Sequence, residues 1–79
     1  LKRLLHVDLP VRDILRQAAL GLRAAIADTL LDLTEDPEPL GATPYGGIPD
    51  ALELRTDTFR LVYTHGPDHV SAWVLEINT

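Results

Sequence analysis

The chain has 79 residues, no cysteine and a net charge of −5. A chain of this length supports a single core and buries only about 60% of its unfolded surface, so residues 1–79 form one domain of modest stability with no disulfide or thiolate–metal staple. The acidic balance opposes diffuse attraction to nucleic acid, which depends on cations displacing counterions from phosphates.

No apolar run approaches the roughly 20 residues that cross a bilayer, and the Leu1–Leu5 block is too short for a signal peptide, so a soluble protein of the cytoplasm is expected, without a membrane partner. The sequence has no methionine, so its numbering is expected to begin inside the translated product or after a removed start. Among the basic residues only Lys2 is not an arginine, which favours planar, bidentate contacts.

Leu5, Val7 and Leu9 alternate with His6 and Asp8, the period of a strand that Pro10 ends. Proline also opens a helix, and Val11, Ile14, Leu15, Ala18 and Ala19 recur at helical spacing until Gly21 breaks or bends the run. From Leu22 a longer helix carries Leu22, Ala25, Ile26, Thr29, Leu30 and Leu33 on one stripe, with Arg23, Asp28 and Asp32 off it. An amphipathic pair laid over a sheet accounts for both helices.

Residues 34–49 hold four prolines and three glycines, which forbids helix and central strand and leaves a crossing loop anchored by Tyr45. Three short strands follow between Leu52 and Ile77. In the second, Phe59, Leu61 and Tyr63 alternate with Arg60, Val62 and Thr64, so Arg60 points away from whatever covers the aromatic side and stands free on an open face. If Leu54 faces the same core as Phe59, those two are cross-strand neighbours, Leu52 pairs with Leu61 and Glu53 with Arg60. A Gly66-Pro67-Asp68 turn leads to a last strand with Val70, Ala72 and Val74 on one side and Trp73, Leu75 and Ile77 on the other, apolar on both faces and therefore central. The expected fold is α+β: an N-terminal strand, two helices, then a three-stranded antiparallel meander with the helices on one face.

A strand, two helices, a loop opened by Asp36-Pro37 and a hairpin carrying Phe59-Arg60-Leu61-Val62-Tyr63 resemble the RelE/ParE toxin superfamily, nearest its RelE-like branch. The Gly47-Ile48-Pro49-Asp50 turn followed by Leu54-Arg55 and the Phe59–Tyr63 strand is the most specific part of that likeness. The resemblance implies a toxin of a type II toxin–antitoxin pair, held inactive by an antitoxin peptide wrapped around it. RelE-like members cut messenger RNA in the ribosomal A site; ParE-like members poison DNA gyrase. In the RelE-like branch the arginine at the place of Arg60 lies beside the scissile phosphate. The sequence departs from that branch at Ala51 and Glu53, where basic residues are usual, at Asp57 in place of a turn glycine, and at Asn78-Thr79, where a further basic residue usually follows.

Two readings of Arg60 follow. It pairs with Glu53 across the strands, or it stabilises phosphate charge while Glu53 takes the proton of a ribose 2′-hydroxyl. Arg55, at the turn end of the same face, and His65 are candidate RNA contacts. Tyr63 packs in the core with its hydroxyl at the rim. His65 and His69 bracket a turn that suggests a metal clip or an acid–base pair, but they lack a fourth ligand and a rigid frame and read as surface turn residues, and His6 as structural. No metal or cofactor is expected. With no Gly-rich phosphate loop, nucleophile elbow or cysteine nucleophile, phosphotransfer and acyl chemistry have no support. The apolar groove between the helices and the sheet edge would accept an amphipathic antitoxin helix or an added strand, the surface that matters if the toxin binds without cleaving.

Overall fold

The computed structural model describes residues 2–78. The expectations resting on Leu1 and Thr79 lie outside that range. The elements are β1 (Leu4–Val7), α1 (Leu9–Gln17), α2 (Leu20–Glu35), β2 (Thr43–Pro44), β3 (Ala51–Arg55), β4 (Phe59–His65) and β5 (His69–Ile77). They build one five-stranded sheet in the order β1-β5-β4-β3-β2, with β1 parallel to β5 and the other pairs antiparallel. The expected α+β class holds, and the meander β3-β4-β5 is its centre. A fifth strand was not legible in the sequence: β2 is a two-residue edge piece ending in Pro44, a place where proline removes no ladder bond.

One face of the sheet is closed by the helices. Val11 of α1 and Ile26, Leu30 and Leu33 of α2 meet Phe59, Leu61 and Tyr63 of β4 and Val70, Ala72 and Leu75 of β5 in a single buried cluster. Each valine, isoleucine, leucine or phenylalanine among these contributes about 1.5–3 kcal/mol on full burial. The alternation of β4 thus commits the opposite face, where Arg60 stands, to lie away from both helices.

The helix break falls at Ala18-Ala19, not at Gly21. Both alanines are extended, and Arg23 closes the elbow by donating from Nε to the Leu15 carbonyl (3.0 Å) and from Nη2 to those of Arg16 (2.9 Å) and Ala18 (3.2 Å). The Leu15 carbonyl also accepts from Ala18 N–H at 3.2 Å, so the guanidinium adds a second bond there and serves the carbonyls of Arg16 and Ala18 beyond the helix's own ladder. Gly21 sits inside the first turn of α2.

The β3–β4 hairpin is shifted two residues from the expected register: Leu54 faces Leu61, Glu53 faces Val62 and Arg55 faces Arg60. The Thr56 hydroxyl sets this turn by accepting from the backbone N–H groups of Thr58 (3.2 Å) and Phe59 (3.1 Å). A two-residue shift keeps every side chain on its face, so the core is as expected while the cross-strand neighbours change. In β5 strict alternation fails. Val74 pairs with Val62 and Ala72 with Tyr63, leaving Trp73 as a bulge, so Val70, Ala72, Leu75 and Ile77 all turn to the helix side.

Tyr63 is fully buried, hydroxyl included, and donates to the Pro37 carbonyl at 2.6 Å, in place of the exposed rim position expected for it. That bond ties the start of the crossing loop to the middle of the sheet. Burial, helped by the nearby charges of Asp36 and Glu38, pushes the phenol up to about 12. Tyr63→Phe leaves a buried carbonyl unpaired, and urea unfolding is expected to show a loss of about 1–3 kcal/mol. Because the unfolded phenol titrates near pH 10, stability from this group is complete below pH ~10 and is lost as pH rises through the native value. Ultraviolet titration is expected to show a late tyrosinate step that Tyr63→Phe removes.

Candidate functional site

The face without helices carries a charged cluster at its hairpin end. Arg60 Nη1 donates to Glu76 Oε1 at 2.9 Å, Arg60 Nε donates to Glu53 Oε2, and Arg55 Nε donates to Glu53 Oε1 at 3.2 Å. Glu53 therefore bridges two arginines that stand directly opposite each other in the ladder, a placement that would repel without it. It does so diagonally, since the hairpin register sets Glu53 across from Val62.

The chain between β2 and β3 folds back over this face. Tyr45 N–H donates to the Ala51 carbonyl (3.0 Å), Ile48 N–H to that of Tyr45 (3.4 Å) and Ala51 N–H to that of Ile48 (3.3 Å), closing a small loop in which Gly46 and Asp50 take positive φ of 57° and 62°. Aspartate is among the few non-glycine residues that adopt this conformation readily. The loop lays Tyr45 edge-on against Trp73, ring centroids 5.5 Å apart, and the Arg60 guanidinium carbon lies 5.7 Å from the Tyr45 centroid. Held by two carboxylates and an aromatic ring, the Arg60 side chain is only 18% exposed. It lies on the uncovered face as expected but is not free.

Beside it, Arg55, Thr56, Arg60, Glu76 and Asn78 line an open cavity of about 480 Å³. Asn78 Nδ2 fixes the floor by donating to the carbonyls of Thr56 (3.2 Å) and Asp57 (3.3 Å). Two arginines facing one cavity can hold a phosphate. Here their charge is balanced by Glu53 and Glu76, so an anion gains a strong site only by displacing a carboxylate. Hydrogen bonds from Arg60 and then Arg55 hold Glu53 below the usual carboxylate range, and Glu53 in turn raises the guanidinium of Arg60. A carboxylate in that state is a poor base until Arg60 leaves it.

The remaining candidates separate. His65 ends β4 in phase with Phe59, Leu61 and Tyr63 and pairs with Val70, so it faces the side opposite Arg60 and does not join Arg55. His69 Nδ1 donates to Asp68 Oδ1 at 3.0 Å, and its ring lies where a Cβ on Gly66 would be. With His6, Asp8 and Ser71 it lines a shallow depression at the β1–β5 end of the open face. Among the described residues no three or more histidine, aspartate or glutamate side chains are grouped to hold a metal. Glu76 was missed at the site because the bulge reverses the phase of β5, and strict alternation from Val70 puts Glu76 in the core; Trp73 lies on the side opposite Val70 as alternation has it, and only its contact with Tyr45 was not legible.

Glu53 is expected to stay ionised at a pH where an ordinary glutamate, pKa about 4.3, is half protonated, so its contribution to stability is present above that pH and is lost as pH falls through its lowered native value. Carboxyl-carbon NMR titration checks this: Arg60→Ala should move the Glu53 midpoint up toward the ordinary value, and an unmoved midpoint would assign the shift to other groups.

No protein-family model and no curated protein matches the sequence. Solved structures do match the fold. A chain of the RelBE2 toxin–antitoxin complex from Mycobacterium tuberculosis superposes with a TM-score of 0.82 at 17% identity, covering 99% of this chain and 100% of that one. The isolated RelE toxin of E. coli gives 0.80 at 18% identity over 98% of this chain and 85% of that one, and a chain of the intact E. coli RelBE complex gives 0.78 at 21% identity over 98% of both. The helical pair, the central meander and the uncovered face with Arg60 are thus arranged on the fold of the RelE toxins.

Proposed function

We propose that this chain is the toxin of a type II toxin–antitoxin pair and acts in the cytoplasm as a RelE-like, ribosome-dependent messenger RNA endonuclease. The observation that supports it is the likeness to RelE over nearly the whole length, with Arg60 on the face that the helices leave open. The partners in this reading are a cognate antitoxin, the ribosome and messenger RNA, and the chemistry needs no cofactor.

In the reaction the ribose 2′-oxygen attacks the adjacent phosphorus and passes its proton to a base, the bond to the 5′-oxygen breaks, and that oxygen takes a proton from water to leave as a 5′-hydroxyl. Arg60 exchanges its carboxylate partners for a non-bridging phosphate oxygen and stabilises the charge that grows there. Release by Arg60 also restores the basicity of Glu53, which then accepts the proton, so one exchange readies both groups. Arg55 holds a neighbouring phosphate from the same cavity. Positioning by the ribosome lets an acidic protein act on RNA without strong affinity of its own.

A second reading has a specific observation behind it. Arg60 is engaged by two carboxylates, and Ala51 and Glu53 stand where the RelE-like branch carries basic residues. That suits a non-catalytic toxin on the same scaffold, directed at DNA gyrase or retaining only antitoxin capture. Toeprinting on programmed ribosomes separates the two. Cleavage at A-site codons that Arg60→Ala reduces by about 10²–10³-fold is the outcome expected of the endonuclease; intact message with impaired supercoiling supports the gyrase reading. Glu53→Ala that leaves cleavage complete would remove the base role while sparing that of Arg60.

A further inference from the structure

Three groups hold Arg60, and they do not compete alike with an anion. Glu53 and Glu76 take N–H groups on Nε and Nη1, the kind of donor that a phosphate oxygen would need. The Tyr45 ring takes none of them. It meets the cation through the negative face of its π system, 5.7 Å from the guanidinium carbon and within the roughly 6 Å over which that attraction acts. A phosphate that displaces both carboxylates therefore leaves the aromatic contact standing. Arg55 shows how an arginine of this cluster fares without such a contact. It stands opposite Arg60 in the ladder and shares Glu53, yet among the described residues it meets no aromatic ring, and its side chain is 72% exposed against 18% for Arg60.

The ring is fixed from its own side of the sheet. Pro44 precedes it on the edge strand, and the N–H and carbonyl of Tyr45 are both bonded within the loop, to Ala51 and Ile48, in a turn that closes through the positive φ of Gly46 and Asp50. Trp73 backs the ring with 79° between the two planes. Trp73 Nε1 is buried and has no hydrogen-bond partner among the described residues, so what the indole supplies there is its ring. Ala51 and Val62 are buried on the same face, outside the helix-side cluster, and give that face a small apolar layer of its own. Tyr45 is thus held by bonds and contacts in which neither carboxylate takes part.

We propose that Tyr45 is a positioning residue for Arg60: its ring keeps the guanidinium in place while phosphate displaces Glu53 and Glu76. The inference deepens the endonuclease reading, on which it rests for the phosphate being that of messenger RNA. Tyr45 touches no reacting atom in it. An arginine that is already oriented loses less freedom for each bond it forms, so the ring lowers the cost of the exchange without entering the chemistry.

The test reads Arg60 itself and then the reaction. Nitrogen NMR relaxation of the arginine side-chain Nε–H groups is measured in the full chain carrying Glu53→Ala with Glu76→Ala, or Glu53→Gln with Glu76→Gln should the alanine pair fail to fold. Arg60 is expected to stay ordered there, to become as mobile as Arg55 when Tyr45→Leu is added, and to stay ordered with Tyr45→Phe. On programmed ribosomes, with the carboxylates intact, Tyr45→Leu is expected to lower kcat for message cleavage about tenfold with KM changed less than about twofold, and Tyr45→Phe to remain within about threefold of the native chain. Once Arg60→Ala is present, Tyr45→Leu should add no further loss. Losses that add to those of Arg60→Ala, a phenylalanine variant as impaired as the leucine one, or an Arg60 Nε–H still ordered with Tyr45→Leu would overturn the proposal and leave Tyr45 a loop anchor. A native chain that cuts no message counts against the endonuclease reading, and the relaxation comparison then decides the positioning role by itself.

Discussion

The alternation of Phe59 to Tyr63 in β4 is the constraint from which the rest of the molecule follows. A strand at the middle of a sheet has two faces, and Phe59, Leu61 and Tyr63 commit one of them to the helices. Arg60 then has nowhere to go but the other face. The Tyr63 hydroxyl extends this order beyond the strand by holding Pro37, which shapes the loop after α2, and the loop before β3 returns over the open side to set Tyr45 against Trp73 and Arg60. The core and the charged cluster are thus two consequences of one periodicity.

The arginines explain how an acidic domain can be rich in guanidinium groups and still present little positive charge. Arg3 and Arg12 donate to the carbonyls of Gly66 and Val7, Arg23 closes the helical elbow, Arg16 pairs with Asp13, and Arg55 and Arg60 share Glu53. Their planar geometry serves intramolecular bonds first. In the proposed function a phosphate reaching Arg60 must displace Glu53 and Glu76, which hold its guanidinium in the folded state. An RNA already positioned by a large partner meets that competition at high effective concentration, whereas free RNA does not.

Much of the fold was legible because it rests on periodicity. The helical stripe through Ile26, Leu30 and Leu33, the alternation of β4 and the turn residues around Gly66 each have a local physical cause visible in the chain. What was not legible depends on partners distant in sequence. The hairpin register turned on the Thr56 hydroxyl, whose bonds shift pairing by two residues without changing either face. The bulge at Trp73 reverses the phase of β5, and with it the side on which Glu76 lies. Arg23 displaced the helix break to Ala18-Ala19, since a side chain from the next helix satisfies carbonyls that a glycine would otherwise mark. At the site, Arg60, Glu53 and Arg55 came together as alternation required, His65 fell on the other face, and the roles of Tyr45 and Glu76 emerged only once the loop and the bulge were in place.

The proposed function requires Arg60 to bind phosphate once its two carboxylate partners, Glu53 and Glu76, are displaced. Fluorescence anisotropy with a labelled 2′-O-methyl oligoribonucleotide, which binds without being cut, measures that requirement directly. Replacing Glu53 and Glu76 by glutamine is expected to tighten binding, and adding Arg60→Ala to that background to abolish the gain. Affinity indifferent to all three substitutions would contradict the account and leave the cluster a structural ion pair.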